Sequence, residues 1–275
     1  LSAIAVAERV FSIMEETVEE DIGDMDDHHK LLGDVKFRHV SFKYELAEQE
    51  HTLKDVSFHV KPGQTAALVG ATGAGKTTIM QLIARFYDVE QGEILFDGVN
   101  VQKLKRQTLR SQMAFVLQDS FLFEASVYEN IRYGRLNATN EEIVEAAKRA
   151  NAHDFIVKLP NGYNTILTSD GSEISQGQKQ LLSIARAFVA DPVILLLDEA
   201  TSSIDTVTEV KIQQALEVLM EGRTSFVIAH RLNTIRNADV VFVMQEGRMV
   251  EAGTQQELME TNGIYANMLK QAGIL

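Results

Sequence analysis

The chain has 275 residues, 45% of them apolar, and a formal charge of −13 at neutral pH, enough for one large or two small domains with a real core. The acid excess argues against a nucleic-acid partner, because neutralising phosphates needs a basic face. With no cysteine there is neither a disulfide framework nor a thiolate metal site, and no run reaches the ~18 apolar residues of a membrane-spanning helix.

Leu1 to Met14 reads as the tail of a helix, with Ala3, Ala7, Val10, Phe11 and Met14 on one stripe. The chain opens on Leu and shows no secretory signal, so residue 1 is expected to be a cut within a longer protein. Glu15, Glu16, Glu19, Glu20, Asp21, Asp24, Asp26 and Asp27 follow, and this stretch is expected to be a mobile, solvated linker. His28 and His29 lack a clear third ligand and do not make a metal site. From Val35 the spacing turns to strands: Val35, Phe37, Val40 and Phe42 suit half-buried faces, and Val56 to Val60 alternates. Lys61-Pro62-Gly63 is a turn, and Thr65 to Val69 is an apolar run suited to a strand buried on both sides. A helix through Met80, Leu82 and Ile83 comes next. Further strands are expected at Ile94 to Phe96, Ala114 to Leu117, Val193 to Leu197, Ser225 to Ile228 and Val240 to Met244. Between Ser120 and Phe188 the pattern is mainly helical, clearest at Glu141 to Ala150 and Gln178 to Phe188. Strands flanking a helical block predict a mixed α/β core with a helical insertion.

Between the buried run and the helix lies Gly70-Ala71-Thr72-Gly73-Ala74-Gly75-Lys76-Thr77, followed by Thr78. It satisfies G-x-x-x-x-G-K-[ST] in a strand–loop–helix context. Glycines let the loop wrap with its amides inward, and the helix offers a partly positive N-terminus to phosphates. Lys76 is expected to bridge the β- and γ-phosphates and the Thr77 hydroxyl to hold Mg²⁺. Such a loop needs a metal carboxylate at the end of a neighbouring strand. Ile194 to Leu197 ends in Asp198, at the sheet edge where α/β proteins bind ligands. Glu199 next to it suits orienting and polarising an attacking water.

In their order and spacing these residues resemble the ATP-binding domain of ABC transporters, the exporter type in particular. Val40-Ser41-Phe42-Lys43-Tyr44 is similar to the segment whose aromatic stacks on adenine, and Gln118 to the glutamine that senses Mg²⁺ and the coupling helix. Ile174-Ser175-Gln176-Gly177-Gln178 resembles the signature, with Ser175 to Gln178 reaching the ATP held by the opposite subunit. Asp198-Glu199-Ala200-Thr201-Ser202-Ser203-Ile204-Asp205 resembles the metal acid, catalytic acid and D-loop, and His230 in Ile228 to Leu232 the switch histidine. Gln176 stands where the family usually has glycine, and Thr168-Ser169-Asp170-Gly171 where exporters often have Gly-Glu-Arg-Gly. That wording resembles one half of bacterial heterodimeric multidrug exporters.

The resemblance implies a P-loop NTPase (RecA-like) α/β core with an antiparallel β subdomain and an inserted α-helical subdomain. Residues 1–33 would be the helix and acidic linker from a missing transmembrane domain. Residues 34–118 and 187–275 would form the core and β subdomain, and about 119–186 the helical one. It also implies ATP and Mg²⁺ as ligands and an ATPase that dimerises with a second such domain, homo- or heterodimeric. A transmembrane domain would be fused upstream of Leu1, with the domain at the cytoplasmic face of the cell membrane. An importer's ATPase subunit and a soluble ABC ATPase are the alternatives. The exporter-like N-terminal helix counts against the first, and the lack of a basic face or long coiled-coil insertion against the second.

Overall fold

The computed structural model describes residues 2–16, 21, 23, 30–44, 52–117, 121–168, 173–198, 204–229 and 235–271. An N-terminal helix, α1 (Ser2–Met14), precedes the folded body. Among the described residues no helix is long and apolar enough to cross a membrane.

The first layer is an antiparallel sheet. β1 (Val35–Phe42) lies between β2 (Leu53–Val60) and β4 (Gln91–Phe96), and β5 (Val99–Asn100) pairs with β4. Pairing of β1 shifts between Phe37 and Val40, where His39 takes a φ of 49°. This irregularity lets Phe37 and Val40 both face inward although they are three residues apart.

The second layer is a mixed sheet in the order β10-β9-β3-β8-β7-β6. Its strands are β3 (Thr65–Val69), β6 (Met113–Val116), β7 (Ile194–Asp198), β8 (Thr224–Ile228), β9 (Val240–Gln245) and β10 (Arg248–Gly253). β6, β7, β8, β3 and β9 run parallel, and β10 is an antiparallel edge. Alternate residues explain the continuous apolar runs. Ile194, Leu196, Phe226 and Ile228 pack with the antiparallel sheet and α2 (Lys76–Ile83). Leu195, Leu197 and Val227 pack with α4 (Val127–Arg132), α5 (Asn140–Arg149), α7 (Gln176–Ala190) and α8 (Thr206–Met220). Ala67, Val69, Val241 and Val243 are covered by α9 (Gln255–Glu260) and α10 (Ile264–Gln271). A sheet covered on both faces needs apolar residues at every position. The described residues also include the short helices α3 (Arg106–Arg110) and α6 (His153–Ile156). This is a P-loop NTPase core with an antiparallel β layer and an inserted helical block.

Four expectations need correction. Asp21 is exposed, as expected, but it is not a free linker charge: its carboxylate accepts the Arg106 and Gln107 amides at 2.7 and 3.3 Å, at the start of α3. The donated amides hold its pKa below the ordinary value against a larger opposing push from desolvation, assisted by Arg85 and Arg106. Leu117 lies beyond β6 and is exposed. β10 and β5 escaped the sequence pattern, β10 because it alternates exposed with half-buried residues. Finally, β7 is not the neighbour of β3, since β8 lies between them.

The two layers meet in an aromatic stack. Phe58 of β2 lies 4.3 Å from Phe37, 5.0 Å from Phe242 and 6.2 Å from Phe226, centroid to centroid. We predict that Phe58→Ala lowers the unfolding free energy by about 3–5 kcal/mol. Equilibrium urea unfolding measures this, and a loss under about 1 kcal/mol would show that the layers do not depend on the stack.

Candidate functional site

The loop from Gly70 to Gly75 joins the buried strand β3 to α2. Gly70 has a φ of 149°, and a Cβ there would overlap the Met244 carbonyl oxygen. Gly75 has a φ of 102° and would place a Cβ 2.6 Å from Leu53 Cδ2. These two glycines are demanded by backbone shape and close approach together. Gly73, at φ 81°, has open space around it, so its demand is conformational. Ala71 and Thr72 are exposed, whereas Ala74 is buried. The Ala74 amide bonds to the Ala71 carbonyl at 3.2 Å, and its own carbonyl accepts the Gly247 amide at 3.2 Å. The turn between β9 and β10 therefore buttresses the loop from outside. Its signal in the sequence is Glu246-Gly247, a turn pair directly after the apolar run of β9.

Gly75 caps α2, so Lys76, Thr77 and Thr78 occupy the first turn. Amides in a first turn have no partner within the helix and point along its axis. Lys76 is only 8% exposed. Its ammonium donates to the Gly70 and Ala71 carbonyls at 2.7 and 2.8 Å. Burial pushes its pKa below the ordinary lysine value, and the Asp198 carboxylate pulls it back up. Asp198, half-buried at the end of β7, is thus close enough to act on Lys76 although a strand intervenes. Thr77 is exposed on the first turn. The Thr78 hydroxyl is engaged by Tyr44, 2.9 Å away. Tyr44, half-buried after β1, also donates to Gln81 Oε1 at 2.6 Å.

The residues expected to form the signature, Ser175 to Gln178, lie at the start of α7. Ser175 caps α7, accepting the Gln178 amide at 3.2 Å, and the Gln178 side chain accepts the Ser175 amide at 2.9 Å. This reciprocal cap places Gln176 and Gly177 inside the first turn, where the sequence reading had the helix begin near Gln178. Gln176 is exposed. Gly177 is buried because its Cβ would overlap Thr208 Cγ2 and come 3.0 Å from Ile204 Cγ2. Asp205 caps α8 through the Thr208 amide at 3.0 Å, and that bond holds its carboxyl below the ordinary range. The N-terminal turns of α7 and α8 therefore pack closely only because Gly177 has no side chain.

Gln118, Glu199 and His230 lie outside the described residues, as do Ser169 to Gly171 and His28 and His29. The donors that are described fit a phosphorylated ligand with a hard cation. First-turn amides and a buried ammonium face the phosphate position. A hydroxyl and a carboxylate suit Mg²⁺, which keeps waters and substrate oxygens rather than a full protein cage.

The family model described as ABC transporter matches residues 53–202. The uncharacterized ABC transporter ATP-binding protein YfiC of Bacillus subtilis (strain 168) is 56% identical over 269 residues, 98% of this chain and 44% of its own length. The fatty acid ABC transporter ATP-binding/permease protein of Mycobacterium bovis is 48% identical over 269 residues, 98% of this chain and 42% of its own. A solved bacterial Atm1-family ABC exporter with ATP bound is similar at TM-score 0.88 and 38% identity, over 98% of this chain and 47% of that one. The chain thus spans less than half the length of these relatives.

Gly177→Ala should force the starts of α7 and α8 apart and cost about 1–3 kcal/mol of stability. Adding Thr208→Ser, which removes the colliding methyl, should recover part of it. Urea unfolding of the single and double variants reads both effects; a single variant as stable as the parent would contradict the packing argument.

Proposed function

The chain belongs to the ABC transporter ATP-binding family, and on that premise we propose that it binds Mg-ATP at Gly70 to Thr78 and hydrolyses it to power an exporter. The observation that carries this reading is Lys76: a buried ammonium, held by the carbonyls of its own loop and biased by a carboxylate from the far strand. Such a group costs desolvation energy, and a triphosphate entering the loop would repay it.

The residues divide the work. The amides of Gly73, Gly75, Lys76, Thr77 and Thr78 cradle the phosphates, Lys76 bridges the β- and γ-phosphates, and Tyr44 stacks on the base. Thr77, Asp198 and Gln118 hold Mg²⁺, which when bound neutralises charge on the β- and γ-phosphate oxygens. Glu199 orients the attacking water and draws its proton. His230 and the loop amides stabilise the charge that spreads over the γ-phosphoryl oxygens.

The signature completes the site from a second domain. Ser175 spends an oxygen lone pair on Gln178, which leaves its O–H able to donate to an anion. The first-turn amides of α7 point the same way. Across a dimer these groups reach the partner's γ-phosphate, so ATP joins two domains and its hydrolysis releases them. Gln176 keeps its amide but adds an exposed side chain at that seam.

Motion leaves the domain through an apolar groove. A cavity of about 300 Å³ is lined by Phe115, Leu117, Phe121, Tyr133 and Arg186, beside exposed Phe86. The groove adjoins Gln118 in sequence and suits a helix end from a transmembrane domain. Residues up to 33 would be the connection from that domain, residues 34–118 and 187–275 the core and β layer, and about 119–186 the helical subdomain. The assembled protein would act at the cytoplasmic face of a membrane.

Two variants test the roles. Glu199→Gln should keep ATP affinity and lose about 100-fold or more in phosphate release; parent-like turnover would remove Glu199 from the reaction. Lys76→Ala should weaken ATP by about tenfold or more in isothermal titration, and parent-like affinity would remove the loop from the binding site.

A further inference from the structure

Tyr44 follows β1, yet its hydroxyl is held by the phosphate helix α2. It donates to Gln81 Oε1 at 2.6 Å and lies 2.9 Å from Thr78 Oγ1. A tyrosine hydroxyl carries a single proton. With that proton given to Gln81, the second bond runs the other way, with Thr78 donating to Tyr44. Thr78 and Gln81 are three residues apart and share one face of α2. Lys76 and Thr77 begin that same helix. The ring itself is fixed by two edge-on neighbours. Phe42 stands at 5.0 Å and Tyr87 at 5.2 Å, each with its plane 86° from that of Tyr44. These contacts set the plane of the ring, and the hydroxyl bonds set how far it reaches along α2.

We propose that Gln81 is a positioning residue: by anchoring the Tyr44 hydroxyl to α2, it holds the base-stacking ring in register with the phosphate cradle. The inference rests on the reading of Tyr44 as the partner of the base. Its consequence is selective. A nucleotide has its base and its triphosphate joined by a fixed length of sugar, so ring and cradle must keep a matching distance. One short helix that holds both supplies that distance. Without Gln81 the phosphates keep every one of their partners, while the ring loses an anchor and stacks less well. Inorganic triphosphate, which has no base, does not sense the change.

The test compares Mg-ATP with magnesium tripolyphosphate by isothermal titration on the purified chain. Gln81→Leu should weaken ATP about three- to tenfold, the range of one neutral hydrogen bond, and leave tripolyphosphate as in the parent. Gln81→Glu, which keeps an acceptor, should restore the ratio of the two affinities. Tyr44→Phe, which also removes the Thr78 bond, should weaken ATP at least as much as Gln81→Leu, and adding Gln81→Leu to it should cost nothing further. An ATP affinity unchanged by Gln81→Leu, an equal loss for both ligands, or additive losses in the double variant would each overturn the proposal. Tyr44→Ala separates the two levels of the argument. If it leaves ATP binding intact, the stacking reading falls and the proposal with it. If it weakens ATP while Tyr44→Phe and Gln81→Leu do not, stacking stands and the anchor alone is wrong.

Discussion

The structure turns on one buried ammonium. Lys76 opens α2 with little access to water, and its ammonium donates to two carbonyls of the preceding loop. Desolvation disfavours the charged form, and Asp198 offsets it from across β8. This arrangement is ill suited to stability alone, since an apolar residue would fill the space without the desolvation cost. It suits a group that exchanges weak carbonyl partners for a strongly charged ligand.

Much of the fold serves to hold that loop in shape. Gly70 passes so close to the Met244 carbonyl that no side chain fits, and Gly75 is pressed against Leu53. The Gly247 amide reaches back to Ala74, and the Lys54 amide bonds to the Gly247 carbonyl at 2.8 Å. The antiparallel sheet, the β9–β10 turn and the loop thus form one continuous backbone network. A similar economy joins α7 to α8, where the absent side chain of Gly177 lets the first turn of α7 approach Thr208 and Ile204 at the start of α8.

The apolar runs of β3, β7 and β8 were readable because a parallel sheet buried on both faces tolerates nothing else. The phosphate loop was readable because glycine and lysine at that spacing have a specific mechanical use. What escaped depended on distance along the chain. Asp21 looks like one more linker acid until α3, some 85 positions away, presents unpaired amides to it. Gln81 is an unremarkable helical polar residue until Tyr44, 37 positions earlier, brings it a hydroxyl. The start of α7 is obscured by Gly177, a poor helix former, although Ser175 and Gln178 spell a reciprocal cap. β10 shows no apolar run because none of its positions is fully buried: Arg248, Val250 and Ala252 are exposed and Glu251 is half-buried.

The most direct measurement is a crystal structure of this chain with Mg²⁺ and a non-hydrolysable ATP analogue. The account requires Lys76 Nζ to leave the Gly70 and Ala71 carbonyls for the β- and γ-phosphate oxygens, with the metal between Thr77 and Asp198. A triphosphate bound elsewhere, or a Lys76 still bonded to its own loop beneath the ligand, would contradict it.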